Sequence, residues 1–184
     1  MSERASVTSE TVAAAKSGDL DAFETMVRAC APSVYAHAHR FFGDADTAQD
    51  ATQEVWIKVY RSLPGFDERS AFTTWLYRVT RNVCLDMLRA GRRSAAPTDP
   101  VMLRPTPAAD QSPGVVLAAD LEGAVRALSP EDRDAFDAVG LFDLSYEQAA
   151  SVLGVPAGTV KSRVFRARRT LQTMLGLDRT GATA

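Results

Sequence analysis

Cysteine and histidine are scarce in this chain, with two of each among 184 residues. Cys30 and Cys84 are too few and too far apart for a disulfide framework or a thiolate metal site. Both fall within apolar helical patterns that suit buried thiols. His37 and His39 lie two apart on a helix and point away from each other, a poor ligand pair. No metal and no cofactor is expected. Long apolar runs are missing too: nothing approaches the roughly 20 residues of a membrane span, and MSERASVTSE lacks the apolar core of a signal peptide. A cytoplasmic protein without membrane insertion is the expectation. No stretch alternates as a β-strand does, and no repeat is evident. No nucleophile–base pair, ligand cluster or phosphate-binding glycine loop suggests an enzyme.

What is present is helix. The apolar fraction of 46% is ordinary for a globular protein, and the length suffices for one domain or two small ones. Residues 1–7 read as disordered and a short helix is expected over about 9–17. Asp19 then caps a helix with Leu20, Phe23, Met26, Val27 and Cys30 at helical spacing, which Pro32 should kink or interrupt. The apolar stripe resumes through Val34, Ala38, Phe41 and Phe42 to Gly43. Asp44 or Asp46 caps the next helix. Its buried side is Ala48, Ala51, Val55 and Val59; the other presents Asp50, Gln53, Glu54, Ile57 and Arg61, which reads as a solvated face except for Ile57. After Leu63-Pro64-Gly65-Phe66, Ser70 is expected to cap a long helix ending near Ala90, with Gly91 as its C′ residue. Phe72, Leu76, Val79, Val83 and Met87 form its core stripe. Arg78, Arg81, Asn82, Arg89 and Arg92 trace another face, and these four arginines with Arg93, against Asp86, leave a local charge of +4. A basic stripe starting at Trp75 suits single-stranded nucleic acid, with bases on rings and cations along phosphates. Trp75 at helical spacing suits the core equally well.

Pro97, Pro100, Pro105, Pro107 and Pro113 with Gly114 make residues 94–114 an extended linker. Helix resumes over 115–128. Ser129-Pro130-Glu131-Asp132 then combines an N-cap serine, proline at N1 and acids in the first turn. Ser145 caps a short helix, Tyr146 to Leu153, with Gly154 at C′. Val155-Pro156-Ala157-Gly158 reads as a tight turn before a longer helix. There Val160, Val164, Ala167, Leu171 and Met174 share one stripe, and Lys161, Ser162, Phe165, Arg166 and Arg169 share the other side. Short helix, turn and basic helix make a helix-turn-helix. Five basic residues in a row of turns also suit a plain solvated face, but no acid lies among them for i,i+4 pairing, and an exposed phenyl ring asks for a partner. The net charge of −2 is unlike a nucleic-acid binder only as a total. From Asp99 to Glu147 ten acids face three arginines, a balance of −7, and the uncompensated cations of 161–169 follow. The local field decides whether phosphate is attracted.

LSYEQAASVLGVPAGTVKSRVFRARRTL, residues 144–171, closely resembles the C-terminal promoter-binding domain of extracytoplasmic-function (ECF) sigma factors. GDLDAFETMV, DATQEVWIKVYRSLPGF and TWLYRVTRNVCLDMLR resemble, in order, segments of the same family's N-terminal domain. The resemblance covers nearly everything except the termini and linker. It implies an all-α protein of two small helical domains: 1–93 as sigma region 2, a linker at 94–114, 115–176 as a four-helix sigma region 4 with the helix-turn-helix, and a disordered tail at 177–184. It implies docking on RNA polymerase core, the β′ coiled coil and the β subunit, through Asp50, Gln53, Glu54 and Ile57. It places Phe66, Ser70, Phe72, Trp75, Arg78, Arg81, Asn82 and Asp86 near the melted −10 strand, with a flipped base captured by the loop before the long helix. Thr159, Lys161, Ser162, Phe165, Arg166 and Arg169 match −35 contacts in duplex promoter DNA. An anti-sigma factor is an implied partner. Ala51, Thr52 and Ala149 depart from the larger apolar residues common at those places. The rival is a dimeric helix-turn-helix regulator that binds an operator without polymerase.

Overall fold

The computed structural model describes residues 7–94 and 121–177, with the side chains of 92–94 excepted. The N-terminal residues 1–6, nearly all of the expected linker and the tail beyond Leu177 lie outside the described residues. The chain divides into two compact units between Asp99 and Pro100. Every regular element among the described residues is a helix.

The first unit begins with α1 (Ser9–Lys16), whose Thr8 hydroxyl accepts from the Thr11 amide at 3.2 Å. In α2 (Leu20–Phe42) the Asp19 carboxylate accepts from the Asp21 and Ala22 amides, and Gly43 closes the helix at φ 76. Pro32 neither ends nor breaks α2. The one backbone bond it removes is outweighed because the helix is buried on both sides of it, at Met26 before and at Val34, His37 and Ala38 after. α3 (Ala45–Ser62) is capped by Asp44, not Asp46, through the Thr47 amide. A single 3-10 turn (Leu63–Gly65) leads to the loop before α4 (Phe72–Ser94). Two expectations fail at α4. The Ala71 carbonyl accepts from the Thr74 and Trp75 amides, so the cap position is Ala71 and not Ser70. The helix also runs through Gly91, whose cost of about 1 kcal/mol against alanine is too small to stop it.

Helices α2, α3 and α4 pack on one another, and α1 packs on α2. Ala38, Ala48, Ala51 and Cys84 are fully buried together, flanked by Phe41, Phe42 and Met87. Ala51 thus departs from a larger residue where three helices converge and space is short.

In the second unit, residues 121–126 are helical (α5), followed by α6 (Pro130–Gly140), α7 (Tyr146–Leu153) and α8 (Ala157–Met174). Ser129 caps α6 through the Asp132 amide, with Pro130 in the first turn. Ser145 and Gln148 form a reciprocal capping box on α7, and Gly154 ends it at φ 68, where a Cβ would be strained. The turn to α8 is shorter than expected. Ala157 and Gly158 already belong to the helix, and the Pro156 carbonyl accepts from the Thr159 and Val160 amides. Ala124, Val125, Leu128, Ala167 and Leu171 form the core, with Phe136 and Leu175 against it. Met174 is exposed instead of buried, because Leu175, one turn past Leu171, takes that place.

Candidate nucleic-acid interface

Helix α8 is two-sided. Val160, Val164, Ala167 and Leu171 are buried, while Lys161, Ser162, Phe165, Arg166 and Arg169 are exposed, and Thr159 is half-buried. Phe165 leaves 66% of its surface in water. An open cleft runs from the start of α7 to this face, bounded by Tyr146, Gly158, Lys161, Ser162, Phe165 and Arg168. The cations are not all uncompensated, contrary to the reading by sequence position. Asp132, 34 residues away in the first turn of α6, accepts from Arg166 Nη2 at 2.7 Å and from Nε at 3.3 Å. That hydrogen bond and the adjacent negative charge raise the guanidinium pKa above its ordinary value. Sequence spacing gave no sign of Asp132, since an acid there already has a reason to exist as helix-start chemistry.

The first unit holds a second candidate surface. Phe66, Phe72 and Trp75 form an aromatic cluster, with Phe66 5.1 Å from Trp75 and 6.3 Å from Phe72 between ring centroids. Phe66 and Phe72 are buried and Trp75 is half-buried. The two phenylalanines therefore do not offer free faces for stacking; they form the floor beneath the loop. Above it lies a cleft of about 400 Å³ lined by Val7, Ser9, Val12, Phe66, Glu68, Arg69, Ser70, Ala71 and Phe72, within the usual size of a small-ligand site. Glu68 occupies left-handed backbone, φ 59. Its carboxylate meets Lys16 Nζ of α1 at 2.7 Å, and the same ammonium lies 5.8 Å from the Phe66 ring centre. Lys16 and Glu68 were not legible as a pair, being 52 residues apart.

Along α4, Arg78 and Asn82 are exposed and Arg81 is half-buried. Asp86 is also exposed but engaged: Arg89 Nη1 approaches it at 3.1 Å and Lys58 Nζ of α3 at 4.0 Å. Arg92 extends the sequence stripe, but its side chain lies outside the described ones.

On α3, Ala48, Ala51, Val55 and Val59 are buried and Asp50, Gln53, Glu54 and Ile57 are exposed. Two further apolar side chains of this unit are exposed. Tyr60 is exposed and packs edge-on against Phe23 at 5.2 Å, and Leu20 stands exposed one turn before Phe23. Tyr60 could have been found from its i+3 spacing to Ile57. Between α3 and α4, Asp50, Glu54, Lys58, Val83, Asp86, Met87 and Ala90 line a further cleft of about 530 Å³. Neither cysteine is placed for reactivity: Cys84 is buried, and burial pushes the half-buried Cys30 thiol up to about 11. No described helix is long and apolar enough to cross a membrane.

Residues 26–94 match the family model for sigma-70 region 2, and residues 118–171 match that for sigma-70 region 4. The chain is 37% identical over 161 residues to the ECF RNA polymerase sigma factor SigE of Mycolicibacterium smegmatis, covering 85% of this chain and 62% of the relative. It is 36% identical over 172 residues to the ECF sigma factor SigM of Mycobacterium tuberculosis, covering 94% of this chain and 86% of that one. Among solved structures, the sigma factor RpoE of Bartonella quintana, in complex with the anti-sigma factor NepR, superposes with a TM-score of 0.70 at 31% identity, covering 85% of this chain and 98% of its own. CnrH, in complex with the cytosolic domain of CnrY, shares the fold with a TM-score of 0.69 at 22% identity, covering 94% and 99%. With two matched regions in order and a relative 36% identical over most of both chains, the chain belongs to the ECF sigma factors, the sigma-70-type initiation factors of bacterial RNA polymerase.

Proposed function

We propose that this sigma factor joins core RNA polymerase and directs initiation by reading promoter DNA in two states. The carrying observation is α8, where Lys161, Ser162, Phe165 and Arg166 are exposed directly opposite buried Val160, Val164 and Ala167. In the major groove, Lys and Arg donate to guanine edges and a phenyl ring meets a thymine methyl. Those contacts, with Thr159 and Arg169 alongside, are assigned to the −35 duplex.

The first unit is assigned to the melted −10 strand. A base that has left the stack enters the cleft over Phe66 and Phe72, next to Ser70. Trp75, Arg78, Arg81, Asn82 and Asp86 lie along the path of the strand beside it. Unstacking costs a few kcal/mol, least at easily melted steps, which makes capture selective. Asp50, Gln53, Glu54 and Ile57 dock on the polymerase β′ coiled coil, with exposed Tyr60, one turn on from Ile57, extending the apolar part of that face; the β subunit is a further contact. Covering exposed apolar side chains is favourable in itself. An anti-sigma factor is proposed as a second partner, as RpoE has NepR. The operator-binding alternative leaves the α3 face and the cleft over Phe66 and Phe72 without a purpose. Run-off transcription tests the reading. The purified chain with core enzyme should start discrete transcripts at a cognate promoter, and a chain that fails to bind core or starts none overturns it.

A further inference from the structure

We infer that Asp132 is a specificity-determining positioning residue for −35 recognition, acting through Arg166. This rests on the assignment of Arg166 to a base edge. An arginine side chain has four rotatable bonds and loses that freedom when it settles on a base. Here the choice is already made. Asp132 accepts from Nε and Nη2, along one side of the guanidinium. That side-on pairing leaves Nη1 and the second Nη2 proton, the end-on pair of donors that matches guanine N7 and O6. A single carboxylate thus fixes the plane of the fork while leaving the base-reading end unspent.

Burial separates this pair from an ordinary surface bridge. The Asp132 side chain is 15% exposed and Arg166 57%. The anchor sits within the domain and its partner reaches outward. Asp132 belongs to a short helix start whose backbone is tied down by Ser129 and Pro130, so the anchor itself has little freedom. Arg166 and Asp132 come from the two helices, α8 and α6, that pack directly on each other.

The opposite role, a carboxylate that competes with DNA for the guanidinium, makes opposed predictions. The test uses holoenzyme assembled from core and each full-length variant, with open-complex formation scored on a panel permuting every −35 position. The variants are Asp132→Ala, Asp132→Asn, Asp132→Glu, Arg166→Ala and the double Asp132→Ala/Arg166→Ala. Positioning predicts that Asp132→Ala relaxes discrimination at the same base pair as Arg166→Ala, by about fivefold to tenfold, and that the double variant is no worse than Arg166→Ala alone. Asp132→Asn, which keeps one acceptor, and Asp132→Glu should restore part of the discrimination, and melting of the free chain shows whether each variant folds. Tighter binding by Asp132→Ala with discrimination intact, or effects at a different base pair, overturns the inference while sparing Arg166. If Arg166→Ala itself leaves discrimination unchanged, the inference and the base-edge assignment of Arg166 fall together.

Discussion

Phe165 illustrates how a residue's environment separates folding from recognition. Two thirds of its surface faces water, so the fold gains little from it. Phe165→Ala should leave the melting temperature of the free chain within the spread of ordinary surface changes, about 0.5 kcal/mol. It should nonetheless reduce transcription from a promoter with a −35 thymine by about tenfold, read by run-off with wild type in parallel. Single residues also mark where sequence reading stops. The exposure of Lys161, Ser162 and Phe165 followed from helical periodicity alone, because a helix that buries Val160 and Val164 has to turn those side chains outward. The Asp132–Arg166 and Lys16–Glu68 pairs did not follow, since ion pairs between elements depend on how helices cross. Burial of Phe66 and Phe72 was hidden for the same reason: an aromatic in a loop is equally consistent with a floor and with an open face.

At the scale of helices, start signals were the most readable feature. Asp19, Ser129 and Ser145 cap their helices as expected, because a short polar side chain before an apolar run satisfies amides that have no other partner. Stop and break signals were less dependable. Pro32 and Gly91 both lie inside helices: the packing of α2 exceeds the first penalty, and the second is too small to end α4. Asp44 gives a pH-dependent test of a cap. Hydrogen bonds from the Thr47 hydroxyl and amide lower its pKa. A folded value below the unfolded one means that the stabilisation is complete above the ordinary carboxylate range and is lost as pH falls through the lowered value. Asp44→Ala should therefore melt at lower temperature than wild type near neutrality, with the gap closing in acid. Thermal melts across that range measure it. Glu54 tests the outer face of α3. It is exposed on the flank of α3, beside the buried stripe of Ala51 and Val55. Glu54→Lys should weaken core polymerase binding at least fivefold in a pull-down while leaving the melting temperature unchanged.

For the whole molecule, the proposed function makes specificity the product of two weak readings that polymerase brings together. The free chain should bind promoter duplex only in the non-specific range, with Kd on the order of 10⁻⁴ to 10⁻⁶ M, and weaken steeply with salt as counterions are released. In holoenzyme the second contact becomes intramolecular, and apparent affinity should rise by about 10² to 10⁴. Fluorescence anisotropy with and without core, over a salt series, gives both numbers; tight sequence-specific binding by the chain alone would contradict the scheme. The two-unit organisation was readable because five prolines and a glycine separate two periodic stretches.

Each unit keeps a hydrophobic core of its own, Ala38, Ala48, Ala51 and Cys84 in one and Val125, Leu128, Ala167 and Leu171 in the other. On the proposed function, amino-acid changes that redirect one half of the molecule to new DNA leave the other half's core untouched. A lineage carrying duplicated copies of such a gene could shift its upstream and downstream promoter preferences one at a time, passing through intermediates that still fold.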